Sequence, residues 1–330
     1  MPPALPLNPS VIPPTPVKSA IEQDYRSLIT PELIARAQKP FQSTKHKKYV
    51  EVLNPSYTVK LGPSVSHYEY RVLQFLEAIP EVPTPSPIAF FDIDVSAKDR
   101  DDPAVETLET WPVMIITTIP GWNLGLVLDR MTISQIVDVL RQSMRYIDLI
   151  NAAIRKGVMF PDPKGNWSLL KRPVDSVGSL DGDKGRYIEV PFYMNFGQGS
   201  IQIEDFASTM SKPIAVLPEH AELLQSTLSF LGPSNASDIR FCHMDLHFGN
   251  IMVHKGQISG IIDWEMAGWY TWRLEVNGGT KEYFDPVNLG PFVEAWQIPP
   301  DLEEVIMNSM STLDCSIAYF SDEQSLLLSN

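Results

Sequence analysis

Apolar residues in TISQIVDVLRQSMRYIDLINAAIRKG (132–157) fall at 133, 136, 137, 140, 144, 147, 150 and 154, the spacing of one helix face. Thr132 and Gln135 form a capping box at its start, and Gly157 can close its end. SHYEYRVLQFLEAI (66–79) repeats the pattern through Tyr68, Val72, Phe75, Leu76 and Ile79, until Pro80, Pro83, Pro85 and Pro87 end it. Weaker helical patterns cover 19–38 (broken at Pro31), 204–211, 218–231 and roughly 293–319. Alternation replaces the helical period in KYVEVLNPSYTVKLG (48–62), which reads as a β-hairpin turning at Asn54-Pro55-Ser56. IAFFDID (88–94) reads as a strand. Val113 to Ile119 reads as a buried strand, rich in β-branched residues, that turns at Pro120-Gly121.

The polar stretches 96–110 and 178–187 read as loops, and residues 1–18, with seven prolines, as an extended tail. These patterns predict an α+β chain. A tail (1–18) precedes a smaller β-rich part (19–119), and a larger, mainly helical part (120–330) follows the turn. Clefts between such parts are common ligand sites.

Charge narrows the function. The formal net charge is −14, which disfavours nucleic-acid backbones and anionic membranes as partners. From Asp263 onward, twelve acidic residues face only Arg273 and Lys281, which hints at a cationic substrate. Two cysteines at unrelated positions suit a reducing compartment. No signal-peptide pattern opens the chain, and no apolar run approaches the roughly 18 residues of a membrane span, so a cytoplasmic location is expected.

Candidate chemistry is concentrated in RFCHMDLHFGNIMV (240–253), where His243, Asp245 and Asn250 fit H-x-D-x-x-x-x-N. A two-residue turn at Lys255-Gly256 would pair His254 with Gln257 and set Asn250 opposite Ile261. A slip or bulge at Gly260 would then bring Asp263 beside Asn250. One amide oxygen and one carboxylate at one point suit a hard divalent cation, and Asp245 nearby suits a group that orients or deprotonates a hydroxyl.

HMDLHFGNIMV followed by GIIDWEMAGWY resembles the aminoglycoside phosphotransferase and choline kinase-like family, whose usual pattern is H-G-D-L-H-x-x-N and then I-D-W-E. Met244 replaces the common glycine. The resemblance implies a bilobal protein-kinase-like fold and a small-molecule kinase using ATP and Mg2+ to phosphorylate a hydroxyl. Asp245 is implied as the catalytic residue, with Asn250 and Asp263 as metal ligands. YTVKLG resembles the strand of the phosphate-binding lysine, here Lys60, with Glu69 as its partner. Glu69 could instead complete a capping box with Ser66. IITTIPGWNL resembles the hinge, whose backbone near Thr117 and Ile119 would hold adenine. His243 is implied as a loop brace, Trp264 as core, and Glu265 as a loop brace too. The phosphate-covering loop falls in FQSTKHKKYV (41–50), which has no glycine.

Two other readings remain open on the residues alone. One is a pseudokinase acting as an interaction module. The other is a metallohydrolase using His243, Asp245 and His247 as zinc ligands. The acceptor and the oligomeric state have no signature in the chain.

Overall fold

The computed structural model describes residues 25–41, 48–98, 106–162, 164–173, 176–180, 188–190, 194–196, 200–207, 221–280, 286–305 and 307. The expected tail (1–18), most of the glycine-free loop (42–47), most of the 178–187 loop and Cys315 lie outside them. The described residues divide into two compact units, those within 1–65 and 88–115, and those within 66–87 and 116–330. The described elements are the expected mix of helices and strands, with sheets paired antiparallel.

The first unit opens with α1 (Pro31–Phe41). Pro31 marks the expected break, since residues 25 and 26 are helical, 27–30 are not, and helix starts again at 31. It occupies the first helical position, where proline's missing N–H costs nothing, and Thr30 Oγ1 accepts from Leu33 N–H at 3.3 Å. Strands β1 (Tyr49–Val52) and β2 (Tyr57–Leu61) pair antiparallel as the alternation predicts. Asn54 Oδ1 accepts from the Ser56 and Tyr57 amides in the turn. After α2 (His67–Leu76), which belongs to the second unit, come β3 (Pro87–Lys98) and β4 (Glu106–Thr117). The sheet order is β1-β2-β4-β3.

Both long strands run into the polar stretch read as a loop. Backbone pairing needs no apolar side chains, and Thr110 Oγ1 donates to Asp94 Oδ1 from strand to strand. Leu33 and Ala37 of α1 join Val59, Leu61, Phe91, Val113 and Ile115 in one core. Because strand side chains alternate, Lys60 lies on the face opposite Val59 and Leu61.

In the second unit, β5 (Trp122–Asn123) leads to α3 (Ile133–Lys156). Thr132 and Gln135 form the predicted capping box, and Gly157 closes the helix at φ +92°. Short strands follow: β6 (Met159–Pro161), β7 (Trp167–Leu169), β8 (Ser176–Gly178), β9 (Ile188–Val190), β10 (Met194–Phe196) and β11 (Ser200–Gln202). Next are α4 (Ala221–Leu231), β12 (Ile239–Cys242), β13 (Ile251–His254), β14 (Gln257–Ile261), β15 (Gly268–Thr271), α5 (Trp272–Thr280) and α6 (Pro286–Trp296). One sheet runs β11-β8-β15-β12 and another β14-β13-β5.

The helix expected from 293 is interrupted. Gln297 turns at φ +50° ahead of Pro299 and Pro300, and helix resumes at 300. Among the described residues, no helix is long and apolar enough to cross a membrane.

Candidate active site

The buried side of α3 positions the loop that matters. Asn151 is buried, and its amide holds Phe241 of β12 on both sides. Nδ2 donates to the Phe241 carbonyl at 2.9 Å, and Oδ1 accepts the Phe241 N–H at 2.9 Å. A side-chain amide thus imitates a neighbouring strand and fixes β12 to the helix. β12 then delivers His243, Asp245 and Asn250 in the next eight residues.

His243 is fully buried against Trp264, ring centroids 4.5 Å apart. Its Nε2 donates to the Ile262 carbonyl at 2.9 Å, and Nδ1 accepts the Asp245 N–H at 3.2 Å. That pattern requires the neutral Nε2–H tautomer. Burial agrees, holding the pKa down at about 4. His243 therefore ties the loop before Asp245 to the backbone before Asp263, the bracing role expected of it. Asn250, also buried, donates from Nδ2 to both the Asp245 carbonyl and its Oδ2, each at 2.8 Å. His247 Nε2 lies 3.5 Å from the same Oδ2, while its Nδ1 accepts the Gly249 N–H.

Met244 adopts φ +68°, in the left-handed region. A non-glycine residue there costs roughly 1–2 kcal/mol, which explains why glycine is usual at this position. One contact that holds the conformation comes from Glu275 of α5. Its buried Oε2 accepts the Met244 N–H at 2.8 Å. Desolvation raises the Glu275 carboxyl to about 7 and pushes the neighbouring Cys242 thiol well up. Glu275 escaped the sequence reading, since it stands thirty-one residues from its partner and fits no motif.

The β13–β14 hairpin turns at Lys255 (φ +52°) and Gly256 (φ +77°), the type I′ pattern, and pairs His254 with Gln257 as predicted. Its register shifts between Met252↔Gly260 and Val253↔Ile258, so the extra residue is Ser259, one position before the expected bulge. Ser259 Oγ donates to the Pro120 carbonyl at 2.5 Å, which anchors the bulge. Gly260 is reserved for close packing, since a Cβ there would lie 2.7 Å from Ile119 Cγ2. After the shift, Ile262 N–H donates to the Asn250 carbonyl at 3.0 Å, and Asp263 follows at φ +64°. The register places Asp263 one residue beyond the partner of Asn250.

Carboxylate oxygens of Glu69, Asp263 and Glu265 lie within 4.8 Å of one another. Glu69 does not complete a capping box. Ser66 Oγ caps α2 through Tyr68 N–H, while Glu69 Oε1 accepts the Trp264 N–H at 3.2 Å. Trp264 is core, fully buried, with Nε1 donating to the Ile261 carbonyl. Lys60 is only 5% exposed, so it is not a strand-end lysine reaching into water. The Thr117 N–H is already given to the Ser86 carbonyl at 3.0 Å, and Ile119 packs on Gly260.

Residues 199–278 match the model of the phosphotransferase enzyme family (APH). The chain is also similar to several solved structures. A thermostable mutant of the aminoglycoside phosphotransferase APH(4)-Ia in its apo form is 15% identical, over 86% of this chain and 89% of that one, with a TM-score of 0.49. A choline/ethanolamine kinase family protein from Mesorhizobium loti is 10% identical over 88% and 87%, with a TM-score of 0.43. The amicoumacin kinase hAmiN, in complex with AMP-PNP, Ca2+ and Ami, is 13% identical over 88% and 80%, with a TM-score of 0.40. No curated protein sequence matches the chain. The matched residues, 199–278, hold Asp245, Asn250 and Asp263.

Proposed function

We propose that this protein is a small-molecule kinase that transfers the γ-phosphoryl group of ATP to a hydroxyl of an organic acceptor, with Mg2+ as its divalent ion. The observation that carries this reading is the clasp between Asn250 Nδ2 and Asp245, built onto a bulged hairpin that ends at Asp263. Phosphoryl transfer passes through a loose transition state, so a protein contributes mainly position and charge.

Asp245 orients the acceptor hydroxyl and takes its proton. The amide of Asn250 fixes one carboxylate oxygen, and His243 fixes the backbone on which Asp245 sits. With Nδ2 committed to Asp245, Asn250 keeps Oδ1 as an acceptor. Asn250 Oδ1 and the half-buried Asp263 carboxylate are hard oxygen donors that fit Mg2+, which typically takes one or two carboxylates and completes its shell with water and phosphate. When bound, the ion neutralises charge on the phosphates. Glu69 and Glu265, whose carboxylates lie beside Asp263, deepen the negative potential that attracts it. In this reading Lys60 contacts phosphate as a compact point charge. Adenine is assigned to the Thr117 carbonyl and the Ile119 backbone, because the Thr117 N–H is already used.

The metallohydrolase alternative lacks a ligand set. Both ring nitrogens of His243 are engaged with backbone and its ring is buried. The test is ATP consumption measured over a library of hydroxylated small molecules, with Asp245→Asn as control. Turnover with at least one acceptor, reduced about 100-fold or more in the variant, supports the reading. Matched neutral and cationic acceptors test the substrate charge, with preference for the cation expected. No turnover, together with no stabilisation by Mg-ATP, would favour the pseudokinase.

A further inference from the structure

The second unit contains a cavity of about 740 Å3 bounded by the C-terminal end of α3, the chain around β7 and the start of β12. None of Asp245, Asn250 and Asp263 lines it. Its wall carries five cations, Arg155, Lys156, Lys171, Arg172 and Arg240, against a single carboxylate, Asp148. In a chain of net charge −14, such a cluster runs against the composition.

The cations are largely uncommitted. Arg155, Lys156 and Lys171 are exposed and have no hydrogen-bond or ion-pair partner among the described residues. Arg172 donates to the Ile239 carbonyl at 3.3 Å. Arg240 pairs with Asp148 at 2.7 Å and lies over the Trp272 ring, yet its buried Nε has no partner among the described residues. Between these charges the lining is apolar and buried, at Leu170, Ile239 and Trp269.

We propose that this cavity is a second ligand site, for a small organic phosphate. Guanidinium forks match phosphate oxygens two at a time, and lysines add point charge. The volume suits a small molecule, and the apolar lining suits its organic part. Asn151, which clasps Phe241, also lines the cavity, and Arg240 stands three residues before His243. A ligand held there rests on the strand that carries the phosphoryl-transfer loop.

The site is tested by titrating inorganic pyrophosphate calorimetrically into the full chain without magnesium, at about 0.15 M salt, comparing wild type with Arg155→Ala/Lys171→Ala and with Asp263→Asn. Both alanine substitutions fall on exposed side chains, so the fold should be kept. The expected result is one saturable site per chain. It should weaken about tenfold or more in the double variant, which removes two charge-assisted contacts, and stay unchanged in Asp263→Asn. Phenyl phosphate should compete, and equimolar sulfate should compete less. Absence of saturable binding, equal competition by sulfate, or loss in Asp263→Asn with the double variant unaffected would each overturn the proposal.

Discussion

Glu275 and His243 are two fully buried titratable groups braced against the same loop, and their pH dependences have opposite signs. Glu275 is raised from 4.5 to about 7, so the folded state holds its proton more tightly than the unfolded chain. Its contribution to stability is fully present below pH 4.5 and is lost as pH rises through about 7. His243 is lowered from 6.5 to about 4, so its contribution is present above pH 6.5 and is lost as pH falls through about 4. Each shift corresponds to roughly 3 kcal/mol, and over the shared window the two nearly cancel. Glu275→Gln removes one of them. The amide oxygen can still accept the Met244 N–H, so the brace survives while the titration does not. Urea unfolding of both proteins at pH 4.5 to 8 provides the assay. Relative to wild type, the variant should gain about 3 kcal/mol at pH 8 compared with pH 4.5, and its own profile should fall more steeply towards acid. A difference between the two proteins that is independent of pH would refute the reasoning.

Other consequences follow from packing. Asn151→Ala leaves the buried Phe241 N–H and carbonyl without their side-chain partner, and should cost roughly 2–4 kcal/mol in chemical denaturation; a loss below about 0.5 kcal/mol would show that the strand does not need the clasp. Gly260→Ala sets a methyl 2.7 Å from Ile119 and should destabilise by about 1–3 kcal/mol. Adding Ile119→Ala should recover part of that loss, so additive effects in the double-mutant cycle would count against direct contact.

The long-range order of this fold was legible where local chemistry is strong. Helix α3, with its capping box and Gly157, and the two hairpins carry period, caps and turn residues in their own sequence. The β13–β14 register was legible to within one residue. The bulge falls at Ser259 because Gly260 is taken up by contact with Ile119, and that contact is invisible in the local sequence. The ends of β3 and β4 were missed because strand pairing supplies backbone partners that side-chain pattern does not record. Pro31 marked the break in the 19–38 pattern, but that it also opens the next helix depends on the cap before it. At the site, Asp245, Asn250 and Asp263 were legible as a spaced motif. Glu275 was not, because a buried carboxylate serving a distant backbone amide has no local signature. The substitution at Met244 was visible in the sequence, but its meaning came only with the left-handed backbone that glycine would otherwise occupy.

The most direct measurement is thermal unfolding with Mg-ATP, with ATP alone and with Mg2+ alone, for wild type and for Asp263→Asn. The account predicts that ATP and magnesium together stabilise the wild type more than the sum of each alone, and that this excess disappears in the variant while its ligand-free unfolding temperature stays close to wild type. Equal stabilisation of both proteins, or none in either, would contradict the assignment of Asp263 to a nucleotide–metal site.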